Sequence, residues 1–430
     1  MRLTSSSGEL AAMFAWARDR ALRWAHPAGT RGPVNVDERC PSGTGSAVYL
    51  PSYWAGYAHR SGFYARDFVH QAPGAHLLGL AEANLAMLRC FAASATPEHG
   101  HRPVWAFNFD GSYLAIDYRG PDDFVREAPA VFELVECAAV LHRWTGDPAY
   151  LHDPAVRAYC VNALALPATG QGAGIFQGTA TYNELDGEPL QIAGDGLAAR
   201  YAAFLAMAHL AGARGEDAAP FAAQAADLRR HYEQDWHGAR GFTFDGRPVT
   251  GWGAENTWFP PLKGLRDDPA CLDEIDALAG GPRRPANVEA WTYLPDVFFR
   301  HGRTEPAWRW MREIFAARTA PHVAGGRNGD YPEVSFTLVG QVVEGLFGLR
   351  PDAPAHALTT LPGLPAEIAW AEVSGVPVGA GRVAVRHDGP RRTTLANLSG
   401  ELTYRWTARF PGGGTVVQDV PPLSTAVAES

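Results

Sequence analysis

The chain has almost no lysine. Of its 37 basic residues only Lys263 is one, and the rest are arginine. We read this as the codon usage of a GC-rich genome, not as a functional signal. Charge of either sign is never concentrated: the net charge is -9, with no acidic or basic block. The basic stripe that nucleic acid demands is missing, so nucleic acid is not an expected partner. Cysteine is sparse and odd in number, with Cys40, Cys90, Cys137, Cys160 and Cys271 scattered and without CxxC spacing. That excludes a disulfide framework and the usual zinc patterns, and we find no metal constellation or cofactor motif. Cys90 and Cys137 sit in apolar helical runs and read as buried thiols. No apolar run reaches the roughly 18 residues that a membrane helix needs. The opening segment "MRLTSSSGELAAMFAWARDRALRWA" lacks the apolar core of a signal peptide and reads as an amphipathic helix, so a cytoplasmic location is the expectation.

What is present is a helical period. Hydrophobic residues are 46% and charged residues 19% of the chain, so a packed core is expected and disorder is not. To about residue 350, apolar residues recur at three- and four-residue steps, as in "AVFELVECAAVLHRW" and "GLAARYAAFLAMAHLAG". The pattern predicts helices near 6–24, 66–79, 81–95, 125–145, 148–163, 195–213, 217–236, 255–265, 270–279, 286–301, 304–318 and 333–348. Tight turns such as "WTGDPAY" join several of them. Gly146 suits the left-handed helix end there, and Asp147 and Pro148 suit the next start. Long loops at about 97–125, 164–194, 237–254 and 319–332 precede alternate helices, and loops of that length usually carry function. "VWAFNFDGSYLAIDY" alternates around Asp110–Gly111 and predicts a hairpin. These features predict a mainly α protein, an (α/α)6 toroid of six helical hairpins over residues 1–354. A Pro-rich linker, "RPDAPAHALTTLPGLP", leads into a small C-terminal β module over 355–430, where "GRVAVRH" and "LTYRWTARF" alternate.

A carboxylate stands near the start of every second helix: Asp67, Glu127, Asp195, Glu255, Glu289 and Glu333. Helix N-termini favour acids by about 0.3–1 kcal/mol each, which explains any one of them. It explains less well the accompanying Tyr64, Phe68, Phe124, Trp252, Trp258, Trp291, Tyr293 and Tyr331. Carboxylates bind sugar hydroxyls and aromatic faces stack on sugar rings, so this set points to a carbohydrate substrate. Two carboxylates on opposite walls could serve as general acid and base.

The layout resembles the six-hairpin (α/α)6-barrel glycoside hydrolases. The segment "SFTLVGQVVEGLFGLRPDAPAHALTTLPGLPAEIAWAEVSGVPVGAGRVAVRH" is similar to the C-terminal layout of bacterial α-L-rhamnosidases. The resemblance implies an acid near the sixth helix and a base before the twelfth. On this sequence those are Asp195, with Glu184 and Glu188 as rivals, and Glu333, with Asp330 as rival. It implies a glycosidase, inverting in mechanism and without a cofactor.

Other residues keep two readings. Asp67 and His70 lie on one helix face, as a His-based acid/base pair or as a structural hydrogen bond. Arg66 and Arg327 could grip a sugar carboxylate or neutralise the ring of acids. Asp117, Glu127, Trp252, Glu255, Trp291 and Tyr331 are the remaining expected substrate contacts. The alternatives are a polysaccharide lyase or sugar epimerase on the same barrel, with a Tyr or His base, and a non-catalytic carbohydrate-binding protein.

Overall fold

The computed structural model describes residues 1–125, 127–166, 194–237, 243–244, 247–248, 255–282 and 284–430. Its helices are α1 Gly8–Leu22, α2 Ala65–Leu77, α3 Ala81–Ser94, α4 Ala128–Thr145, α5 Ala149–His152, α6 Pro154–Ala165 and α7 Gly194–Ala213. They continue with α8 Ala219–His231, α9 Glu255–Leu262, α10 Pro269–Gly280, α11 Val288–Thr292, α12 Leu294–Arg300, α13 Thr304–Ala317 and α14 Pro332–Gly340. A π-helical segment, Gln341–Leu346, extends α14.

The starts follow local chemistry. Ser7, Asp153, Asp268 and Asn287 each accept a backbone N–H at the first turn of α1, α6, α10 and α11. The helix expected at 148–163 is two, α5 and α6. Asp153 caps a new start, and Pro154, lacking an N–H, fits its first turn. The helix expected at 286–301 likewise divides at Tyr293, with Pro295 in the first turn of α12.

α2 packs on α4, α4 on α7, α7 on α9 and α9 on α12; α11 packs on α14, and α14 returns to α2. This closed ring of inner helices carries a second layer: α1 lies against α14, α3 against α2, α6 against α4, α8 against α7, α10 against α9 and α13 against α12. α2 and α14 approach closely because Gly74 has no side chain; a Cβ there would collide with the Phe336 carbonyl.

The strands that matter here are β1 Arg2–Ser5, β2 Arg350–Asp352, β3 Ala357–Thr360, β4 Trp370–Val378, β5 Gly381–Asp388, β6 Arg392–Asn397, β7 Tyr404–Arg409, β8 Thr415–Val420 and β9 Thr425–Glu429. They form two sheets, ordered β1-β4-β5-β6-β9 and β2-β3-β7-β8. The sequence reading missed β1, which pairs antiparallel with β4 from the far end of the chain. It also read 350–360 as linker, where β2 and β3 form instead. One apolar cluster runs from α1 and α14 into both sheets through Leu10, Phe14, Val339, Val373, Val385 and Trp406, so the sheets dock on the helices.

The hairpin expected around Asp110–Gly111 is reduced to one bridge, Phe107 to Tyr113. Ala106–Asn108 pairs instead with Gly62–Tyr64, which delivers the chain to the start of α2.

Candidate active site

The starts of α2, α4, α11 and α14 bring Asp67, Glu127, Glu289 and Glu333 into one buried cluster. Asp67, Glu289 and Glu333 have oxygens within 4.8 Å of one another. Such a set repels itself unless cations and donors intervene, and each member has one. Arg66, also buried, bonds Glu289 and lies 3.7 Å from Glu127. The Tyr331 hydroxyl donates to Asp67. Glu333 is fully buried, and its Oε1 meets His70 Nδ1 at 2.6 Å and Thr292 Oγ1 at 2.7 Å. Its Oε2 makes no hydrogen bond among the described residues. These three carboxylates could share a metal ion by spacing, but Tyr331, Arg66 and His70 already engage them.

His70 is held at both ring nitrogens, because Nε2 lies 3.0 Å from Asp296 Oδ2. Burial disfavours its charged form, yet the bonds to Asp296 and Glu333 outweigh that and raise its pKa to about 9. The ring is therefore an imidazolium at neutral pH. Tyr293 stacks on it with centroids 3.9 Å apart and planes at 10°, a favourable face for a cation. Asp67 goes the same way for different reasons: burial and then the charge of Glu333 push its carboxyl up to about 7, against Arg66 and the Tyr331 bond. The Tyr331 and Tyr293 phenols are pushed well above their ordinary range by burial and by neighbouring carboxylates.

The structure thus gathers Arg66, Asp67, His70, Glu127, Tyr331 and Glu333 from the residues expected at the site. Asp330 is engaged elsewhere: Arg20 of α1 bonds its Oδ1, and its Oδ2 accepts the Arg327 N–H at 3.1 Å. The Arg327 side chain is exposed. Trp291 is half-buried, with Nε1 donating to the Pro285 carbonyl at 2.8 Å and the Arg284 guanidinium 3.8 Å from its ring centre. Asp117 is half-buried beside Tyr64, its pKa raised by burial. Glu184, Glu188 and Trp252 lie outside the described residues. Asp195 and Glu255 stand at the starts of α7 and α9, and their side chains also lie outside the description.

Sequence reasoning did not single out Thr292, Asp296 or Gln341. Gln341 Nε2 donates to the Thr292 carbonyl at 2.6 Å and to Asp296 Oδ2 at 3.0 Å, so it holds both the residue that bonds Glu333 and the one that bonds His70. Its place in the π-helical extension of α14 was the one available signal, and that is invisible in apolar periodicity.

The fold is shared with known carbohydrate enzymes. A GH78-family rhamnosidase of Bacillus sp. GL1 superposes with a TM-score of 0.61 at 16% identity, over 89% of this chain and 40% of that one. The α-L-rhamnosidase of Dictyoglumus thermophilum gives 0.63 at 12% identity, over 100% and 50%. A human-microbiome protein described as a kojibiose phosphorylase gives 0.60 at 8% identity, over 100% and 63%. The chain therefore spans about 40–63% of the length of these proteins. No protein-family model matches the chain, and no curated protein matches it in sequence. At these identities the likeness is one of fold, and it agrees with the resemblance to six-hairpin glycosidases. Among the described residues, no helix is long and apolar enough to cross a membrane.

Proposed function

We propose that the chain is a glycoside hydrolase built on a six-hairpin (α/α)6 toroid, cleaving a glycosidic bond with inversion. The observation that carries this reading is Glu333: a fully buried carboxylate with one oxygen locked by His70 and Thr292 and the other without a donor among the described residues. A general base needs that arrangement. Oε1 fixes the plane of the group, and Oε2 takes the proton of the attacking water. Inversion places acid and base about 6.5–9.5 Å apart. Asp67 and Glu289 are too close to Glu333 to be its acid, with oxygens inside 4.8 Å. The resemblance to six-hairpin glycosidases points instead to Asp195 as the acid, with Glu184 and Glu188 as rivals. Arg66, Asp67, Glu127 and Tyr331 form the polar wall that holds sugar hydroxyls.

The lyase and epimerase readings need a neutral His or an ionisable Tyr. An imidazolium clamped at both nitrogens and phenols pushed upward work against both.

The test is a screen of purified protein against nitrophenyl glycosides and oligosaccharides, with Glu333→Gln beside it. Sugar release by the wild type alone, with the product's first anomer inverted by NMR, is the expected result. Equal activity in both proteins removes Glu333 from the mechanism. An ultraviolet-absorbing unsaturated product identifies a lyase instead.

A further inference from the structure

A cavity of about 390 Å³ lies at the opposite end of the inner helices from the carboxylate cluster. Its walls come from the later turns of α2, α4 and α14, from the end of α9 and from the length of α12, Tyr293 and Asp296 at its start to Arg300 at its end, and Arg350 and Pro351 reach it from β2. His70 separates the two ends: Nδ1 faces Glu333, and Nε2 faces Asp296 on the cavity wall. The size lies in the usual range for small-molecule sites.

Charge in the cavity is sorted by depth. Inside, the cations are matched. Lys263 Nζ sits 2.7 Å from Glu133 and 2.6 Å from Glu136, and His70 is matched by Asp296. Glu344 accepts the Trp144 Nε1 proton at 2.9 Å and faces Arg350, which donates to the Glu344 and Leu349 carbonyls. Arg143 and Arg300 are different. Both are exposed wall residues at the last turns of α4 and α12, and neither has an ion pair or a side-chain hydrogen bond among the described residues.

We propose that this cavity is a second ligand site, for a small molecule bearing a phosphate or a carboxylate. The anion pairs with Arg143 and Arg300 at the mouth, and the body of the molecule lies in the cavity. The proposal does not depend on the hydrolase reading, because neither arginine belongs to the Glu333 cluster.

The experiment is calorimetric titration of the full chain with glucose 6-phosphate, glucuronate and neutral glucose, repeated on Arg143→Gln/Arg300→Gln and on Glu333→Gln. Either anion should bind at least about tenfold more tightly than glucose, and the double arginine variant should lose about tenfold or more of that affinity. Which of the two anions binds better identifies the head group. Glu333→Gln should bind as the wild type does. Circular dichroism of the arginine variant verifies its fold, and single variants serve if the double one fails. Equal affinity for glucose, no binding of either anion, or binding lost in Glu333→Gln but kept in the arginine variants would overturn the proposal.

Discussion

His70 Nδ1 lies 2.6 Å from Glu333 Oε1, a bond between residues 263 positions apart in the chain. It exists because Gly74 lets α2 press against α14 one turn further on. The bond makes stability depend on pH in a definite sense. The folded pKa of His70, about 9, exceeds the ordinary 6.5, so the folded state holds the proton more tightly. The contribution is fully present below about pH 6.5 and is lost as pH rises through about 9. It amounts to about 3 kcal/mol. In urea titrations from pH 6 to 10, the wild type should lose this increment and His70→Gln should not. Parallel curves for the two proteins would show that the imidazolium is not held as described.

Asp67 predicts a lower window. Burial and Glu333 raise its folded pKa to about 7 from 3.8, so the folded state again holds the extra proton. Its effect is most favourable below about pH 4 and declines as pH rises to about 7. Asp67→Asn keeps an oxygen for the Tyr331 hydroxyl and cannot ionise. Its urea midpoint should gain on the wild type across that window and stay ahead above it. A variant that falls behind as pH rises would reverse the sign and refute the argument.

Arg66 answers two buried carboxylates, Glu127 and Glu289. Arg66→Met leaves both without its guanidinium, and removing one partner from a buried pair costs about 3–5 kcal/mol. Neutralising an acid as well should recover part of the loss. Arg66→Met/Glu289→Gln is expected to be more stable than Arg66→Met alone by chemical denaturation. An additive double variant would mean that the guanidinium is not compensating Glu289.

Much of this was legible in the sequence. Periodicity and capping residues place the helices, and an acid at the start of alternate helices marks Asp67, Glu127, Glu289 and Glu333. What periodicity cannot carry is pairing across the chain. Asp330 read as a rival base because it is acidic and near Glu333, but Arg20, 310 residues away in sequence, engages it. β1 heads the segment that reads as an amphipathic helix, and only its pairing with β4 shows it as a strand. Asp296 lies inside the single helix expected at 286–301, where periodicity does not mark it; only the fold sets it against His70 Nε2.

Thr292 gives the sharpest test of how Glu333 is held. Its hydroxyl has one proton and two acceptors in reach: the Glu289 carbonyl at 2.6 Å and Glu333 Oε1 at 2.7 Å. A hydrogen bond lost from a buried acceptor costs about 1–3 kcal/mol. Thr292→Val keeps the shape and removes the proton, while His70 stays in place. If the hydroxyl serves Glu333, kcat should fall about tenfold or more with KM little changed, because the lost bond orients the base and not the sugar. If it serves only the Glu289 carbonyl, kcat should be nearly unaltered. That outcome would leave His70 as the donor that fixes Glu333 among the described residues, and His70→Gln should then carry the larger loss of kcat.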